Sequence, residues 1–440
     1  MLAVRKWWFA LASMLGLVGG GFYLALTAPL GADYPGPPCD VCDFAGPPIE
    51  SLSRGDVGEF FSLQPVMGSV SLVLRAPFVA LARVFGGGEK LGYQLGALAC
   101  LLLAAGFAWL LMRAMARRGQ SRVVQVVVAA LVLGGPLSVQ ALKWGHPEEL
   151  LAAGLCIGGV IAAARQRPTL AGVLIGLAFA TKLWAWLAFL PALIVVASGA
   201  RLRFSLWAAG AAALFVVPMF LGDPGRFMDQ IHHYGVPGNG LTPTNIWWVY
   251  GHEAGQAVSS EQTLTGYALP ALIGRLSHIL VVVVALALTA LYWWKRRDRE
   301  PLDVLQLVAL IFLLRCLLDP LTYSYHHIPF FVALIAYEGL RRRGLPWISM
   351  VVSGVVLYMT ERVAPEAWHN PTVLNRWYLA WAVPVAAYLA FSIALPDGVR
   401  WDWRRRLHPL REVVRADDQP VAEVEAVGVG TLGANARVQV

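Results

Sequence analysis

Apolar residues run along this chain in unbroken blocks of roughly 13 to 23, set apart by short polar breaks. A membrane-crossing helix takes about 20 such residues, whereas an outer-membrane barrel would show strict alternation instead. Read between polar breaks, the blocks predict twelve spans at 7–28, 91–112, 123–142, 149–164, 169–182, 184–199, 204–221, 272–294, 302–318, 328–340, 345–360 and 376–395. Several are short and need tilt or protein-buried ends. One further apolar block, Val66–Phe85, is long enough to cross, but it contains Arg75 and Arg83 and is interrupted by Pro77. Gly68, Ser71 and Arg75 fall on one helical stripe, so this block reads as a helix lying on the membrane surface after the first span.

Composition agrees with that pattern. Hydrophobic residues make up 58% of the 440 and charged residues 14%, against about 45–50% and about 25% for soluble domains. An ordinary soluble enzyme is thereby excluded. The net charge of +8 is spread over short clusters rather than one patch, so no nucleic-acid partner is predicted. With the N-terminus inside, Arg5/Lys6, Arg113–Arg122, Arg165/Arg167, Arg201/Arg203, Lys295–Arg299 and Arg341–Arg343 all face the cytoplasm, as the positive-inside rule requires. The expected fold is therefore an all-α integral membrane protein of about 12 transmembrane helices, multi-pass in the plasma membrane, with both termini cytoplasmic. Residues 1–403 form the multispan domain, with large extracytoplasmic loops at 29–90 and 222–271. Residues 404–440 contain no aromatic residue and read as a disordered cytoplasmic tail.

On this layout the groups capable of acid–base work gather on the outer side. They include seven of the nine histidines: His146, His232, His233, His252, His326, His327 and His369. The first loop, CDVCDFAGPPIESLSRGDVGEFFSLQP, places Asp40 and Asp43 just after the first span, followed by a Pro-started helix at roughly Pro47–Arg54, Gly55-Asp56 and Gln64-Pro65. A carboxylate at the membrane surface can take a proton from a hydroxyl. Lys182 in TLAGVLIGLAFATKLWAWLAFLP (169–191) sits at a turn between two spans, where a cation calls for an anionic partner: a lipid phosphate, or Glu148 or Glu149. RCLLDPLTYSYHHIPF (315–330) brings Arg315, Tyr323, Tyr325, His326 and His327 together around one span boundary. Arg binds phosphate in bidentate fashion, and Tyr and His donate hydrogen bonds. KWGHPEELL (143–151) offers His146 and Glu148 for helix capping and for acceptor or sugar contact. Trp247 and Trp248 offer aromatic faces for a sugar or for the interface. Cys39 and Cys42, on an oxidising side, are expected to form a disulfide that stiffens the loop around Asp40.

Three of these stretches carry a resemblance. The order of an acid after span one, a surface helix, Gly-Asp, aromatics and then Pro looks like the first outer loop of GT-C glycosyltransferases. GLAFATK before a Pro-containing helix, and the Tyr/His-rich turn, are similar to the actinobacterial polyprenyl-phosphate-mannose-dependent type, like glycosyltransferase family 87. The resemblance implies an enzyme that moves a sugar, mannose or arabinofuranose, from a polyprenyl-phosphate donor to a lipid or envelope-glycan acceptor on the extracytoplasmic side. It places the general base at Asp40, with Asp43 the close second; Val41 and Cys42 stand where the family often has an acid and a Tyr, and the choice stays open. The implied reaction inverts the anomeric carbon. Lys182, Arg315, His326, His327 and Tyr325 are candidates to bind the donor phosphate. No cofactor is required by this logic, and a divalent metal is possible but not predicted. The rival reading is a multispan lipid or solute transporter, which should show repeat symmetry or broken helices near the midplane; neither is evident.

Overall fold

A computed structural model describes residues 2–28, 45–63, 68–235, 240–253, 267–295, 300–364 and 370–395. Asp40, Asp43, Cys39, Cys42, His369 and the 404–440 tail therefore lie outside the described residues. The helices are α1 (Leu2–Thr27), α2 (Gly46–Ser53), α3 (Val57–Leu63), α4 (Ser69–Val84), α5 (Glu89–Arg117), α6 (Arg122–Gly134), α7 (Pro136–Lys143), α8 (Glu148–Ala164), α9 (Pro168–Thr181), α10 (Phe189–Val195), α11 (Arg201–Gly222), α12 (Pro224–Gly235), α13 (Ala271–Lys295), α14 (Val304–Leu318), α15 (Ile328–Arg341), α16 (Trp347–Tyr358) and α17 (Pro371–Ala394). Among the described residues the strands are a two-residue pair, His252–Glu253 against Tyr267–Ala268.

All twelve predicted blocks fall on helix. Among the described residues seven helices are long and apolar enough to cross a membrane: Trp8–Thr27, Glu89–Arg117, Arg122–Lys143, Ser198–Gly222, Ala271–Lys295, Pro301–Leu318 and Pro371–Ala394. The other five blocks correspond to shorter helical pieces, such as Pro168–Thr181 and Leu183–Val195. Burial follows position. α14 and α15 are buried almost throughout. α11 and α13 leave large apolar side chains open, such as Leu214, Leu221, Leu272 and Ile279. An apolar helix face that packs on nothing in a soluble protein would be a liability; facing lipid it is at no disadvantage.

The first-loop segment forms a small unit that braces the bundle. Pro47 and Pro48 start α2, where a missing N–H costs nothing. Gly55 has φ +85°, a left-handed turn that favours glycine. Asp56 then caps α3, its Oδ1 accepting from the Glu59 N–H at 2.9 Å. The Gly55-Asp56 pair is thus a turn-and-cap device. Ala45, Ile49, Phe60, Leu72, Ala76 and Met219 share one apolar cluster, which ties α2 and α3 to α4 and the end of α11.

α4 is the helix expected at Val66–Phe85, but it runs through Pro77 without a break. Its polar stripe also faces a different way from a free interfacial helix. Ser71 and Arg75 are buried against the protein, while Val73, Leu81 and Val84 are exposed. The reason is close approach at Gly68, where a Cβ would come to 2.3 Å from the carbonyl oxygens of Ala180 and Thr181. The start of α4 is thereby pressed onto the end of α9, beside Lys182. Gly68→Ala is expected to force these backbones apart and cost about 2 kcal/mol or more. Gly58→Ala, whose Cβ meets nothing nearer than 3.7 Å, is the matched control. Thermal unfolding in detergent compares them; equal melting temperatures would refute the contact.

Candidate active site

KWGHPEE is a helix stop followed by a helix start. α7 ends in a Schellman arrangement: Gly145 adopts φ +82°, and the His146 N–H returns to the Ala141 carbonyl at 2.7 Å. Pro147 opens α8, so Glu148 and Glu149 occupy its first turn, where carboxylates complement the exposed N–H groups. Both side chains are buried, at 0% and 1% exposure. Carboxylates so placed require partners. They find them in sequence-distant segments.

The first partner is Lys182. α9 stops at Thr181 and Lys182 turns extended, sending its side chain back to α8. Its Nζ lies 3.0 Å from Glu148 Oε1 and 3.1 Å from Glu149 Oε1. His146 Nδ1 donates to the same Glu148 oxygen at 2.9 Å. The Trp184 indole N–H, on the turn that follows Lys182, donates to Glu149 Oε2 at 3.0 Å. The fourth member is Arg75 from α4, 1% exposed, its Nη1 3.9 Å from Glu148 Oε2. That separation is too long for a hydrogen bond. Arg75 Nε and Nη1 and Glu148 Oε2 are buried without a hydrogen-bond partner. Two cations and two carboxylates therefore sit together, three of them buried and Lys182 18% exposed, balanced in charge but incompletely bonded. Such a cluster holds unused donor and acceptor capacity for a polar ligand.

The 315–330 turn packs onto the same place. Tyr325 stacks on His146 with ring centroids 4.2 Å apart, and His326 meets Tyr325 edge-on at 4.6 Å. His326 Nδ1 accepts from the Tyr323 N–H at 3.4 Å, which puts its proton on Nε2. That N–H has no partner among the described residues. Burial, then Arg315 and Lys182, hold His326 well below the ordinary 6.5, so it is neutral. Arg315 makes only loose contacts: Nη1 to the His326 carbonyl at 3.5 Å and Nη2 to Asp319 at 3.7 Å.

His327 has a different situation. Its Nδ1–H donates to the Ser324 carbonyl at 3.2 Å, and its Nε2 accepts from the Tyr378 hydroxyl at 2.9 Å. Both ring nitrogens are engaged within the protein. Burial lowers its pKa from 6.5 to about 4. The unfolded chain binds this proton below pH 6.5 while the folded one refuses it until pH 4. The fold should therefore lose up to about 3 kcal/mol from this group as pH falls from 6.5 to 4, and nothing above 6.5. Melting temperature measured from pH 8 to 4.5 checks this. His327→Gln should flatten the acid limb, and a parallel limb would contradict the assignment.

Trp247 and Trp248 lie on a short turn whose anchoring the sequence did not reveal. Asn245 Nδ2 donates to the Thr242 and Pro320 carbonyls at 2.7 and 2.8 Å. Asn375 Nδ2 donates to the Pro243 and Asn245 carbonyls at 2.8 and 2.7 Å. The Trp247 indole N–H goes to the Leu318 carbonyl at 2.6 Å and that of Trp248 to Thr372 Oγ1 at 3.2 Å. The polar edges of both rings are thus committed to holding this loop, Trp247 against the end of α14 and Trp248 against the start of α17.

The structure brings His146, Glu148, Lys182, Arg315, Tyr325 and His326 into one region. It adds Arg75 and Trp184, which sequence reasoning had left out of the site, and brings in Glu149, which the sequence offered as a partner for Lys182. Arg75 had a signal: a charge amid the apolar face of a helix calls for an acid, and Glu148 is the answer. Among the described residues no group of three or more His, Cys, Asp and Glu is arranged to hold a metal ion. No curated protein matches the chain. The family model for glycosyltransferase family 87 matches residues 70–320, a span that contains α4 from its second residue on, the carboxylate pair, Lys182 and Arg315.

Proposed function

The chain belongs to glycosyltransferase family 87 and is a membrane glycosyltransferase; on that premise we propose that it moves a sugar, mannose or arabinofuranose, from a polyprenyl-phosphate donor to a lipid or envelope-glycan hydroxyl on the extracytoplasmic side. The observation that carries this reading is the meeting of the buried Arg75, Glu148 and Glu149 with the partly exposed Lys182, beside Arg315 and His326.

In this reading Asp40 or Asp43 removes the proton from the acceptor hydroxyl as its oxygen attacks the anomeric carbon. The bond from that carbon to the phosphate oxygen breaks, and the electron pair leaves with the lipid phosphate. A phosphate monoester has a second pKa of about 6, so it departs with little help from an acid. It does call for donors where its charge develops. Arg315 and the Nε2–H of His326 are the groups with spare donors. Lys182 already answers two carboxylates, so it shares its charge with the phosphate and also fixes the carboxylates. Glu148 Oε2, which lacks a hydrogen-bond partner, suits a sugar hydroxyl. One carboxylate base and one displacement imply inversion.

Asp43 stands two residues before Ala45, which is buried in the cluster containing Leu72 and Ala76. Those two residues flank Arg75 on α4. This supports a first-loop base working beside the cluster. The test is transfer from a synthetic polyprenyl-phosphate sugar by purified protein carrying Asp40→Asn or Asp43→Asn. One of the two should lose at least about 10²-fold in rate. Full activity in both would overturn the assignment.

A further inference from the structure

At the far end of α8 from Glu148, about 25 Å away along the helix axis, lies a second feature of opposite character. A groove of about 560 Å³ opens between α5, α8 and α9. Arg113, Arg117 and Arg118 from α5 and its cap line it, and so do Arg165 and Arg167 from the turn joining α8 to α9. All five are exposed. Gln166, between the last two, has φ +56°, an unusual conformation for a residue with a Cβ. Its side chain is anchored to Val195 and Ala197 at 2.8 and 2.9 Å. This anchor holds a turn that brings both flanking arginines to the groove.

The arginines have few acids to answer them. Among the described residues the one carboxylate within 4 Å of any of the five is Glu300, 3.7 Å from Arg118, and Glu300 lies closer to Arg341 at 2.6 Å. Arg113 instead stacks over Trp109 at 4.7 Å. Stacking leaves the guanidinium edge free to donate. Arg165 is pushed below its ordinary pKa by partial burial and by the neighbouring Arg117, Arg118 and Arg167. Orientation in a membrane explains why basic residues occur in these loops. It does not explain the convergence of five arginines on one groove, of which Arg118 meets Glu300 and donates to the Leu340 carbonyl at 2.9 Å. The groove also has an apolar wall, in which Leu110 and Leu170 are 58% and 45% exposed.

We infer that this groove binds the headgroup phosphate of an anionic membrane phospholipid, with an acyl chain lying along Leu110 and Leu170. Charge complementarity selects the headgroup, and the apolar wall selects a lipid over a free anion. Basic pockets at the ends of membrane helices are suited to such headgroups. The inference does not depend on the transfer reaction, since the groove and the carboxylate cluster lie at opposite ends of α8.

Native mass spectrometry of the full-length, delipidated protein in neutral detergent tests it. Phosphatidylglycerol adducts should outnumber those of phosphatidylcholine with the same chains. The Arg117→Gln/Arg165→Gln/Arg167→Gln variant should weaken phosphatidylglycerol binding by about 100-fold, on roughly one tenfold step or less per arginine. Leu110→Trp, which fills the wall and leaves every arginine in place, should also weaken it and decides the matter if the triple variant fails to fold. Millimolar inorganic phosphate should not displace the lipid. Equal binding of the two lipids, survival of the preference in a folded triple variant, unchanged binding by Leu110→Trp, or displacement by phosphate would each overturn the inference.

Discussion

Glu148→Ala should be among the most damaging single changes in this protein, costing about 3–5 kcal/mol and lowering the melting temperature in detergent by several degrees. Glu148 is fully buried and receives Lys182, His146 and, at longer range, Arg75. Its removal leaves the buried Arg75 and the partly buried Lys182 facing Glu149 alone. The penalty arises mainly from that uncompensated charge. Removing the cation as well should therefore restore part of the loss, and Glu148→Leu with Lys182→Met should be more stable than Glu148→Ala. A double-mutant cycle reads the coupling directly. Independent, additive effects would mean that water reaches the cluster and that its charges are not confined together.

Arg315→Ala should act on catalysis instead. Its ion pair with Asp319 spans 3.7 Å and its bond to the His326 carbonyl 3.5 Å, so little stability rests on it. If Arg315 meets the departing phosphate, its loss removes a donor used most in the transition state. A decrease in kcat of about 10²–10³ is expected, with melting temperature nearly unchanged. Arg315→Lys should recover only part, since an ammonium supplies charge without the planar fork. An unchanged kcat in a folded Arg315→Ala protein would exclude this role.

Much of the architecture was legible because lipid as a solvent imposes one rule: every backbone polar group must be satisfied within the segment. Long apolar blocks then have one outcome, and all twelve proved helical. Length alone does not settle which of them cross. Pro168–Thr181 and Leu183–Val195 are short apolar helices joined by Lys182.

The site was legible in part. His146, Lys182 and the 315–330 turn stood out because ionisable groups beside apolar blocks are costly and conspicuous. Lys182 was expected to seek an anion, a lipid phosphate or one of Glu148 and Glu149, and it meets both carboxylates. Arg75 was expected on the membrane surface because a Gly68–Ser71–Arg75 stripe looks the same whether it faces water or protein. Only the close approach at Gly68, a tertiary event, turns it inward. The Asn245 and Asn375 clamps were illegible for a similar reason: their acceptors are main-chain carbonyls from other segments, which side-chain patterns do not record.

The most direct test of the central claim is the release of free polyprenyl phosphate from a polyprenyl-phosphate sugar by the purified protein. Wild-type protein supplied with an acceptor should release one lipid phosphate for each sugar transferred, and Arg315→Ala should slow both together. No release with any lipid-linked sugar, alongside transfer from a nucleotide sugar, would contradict the account.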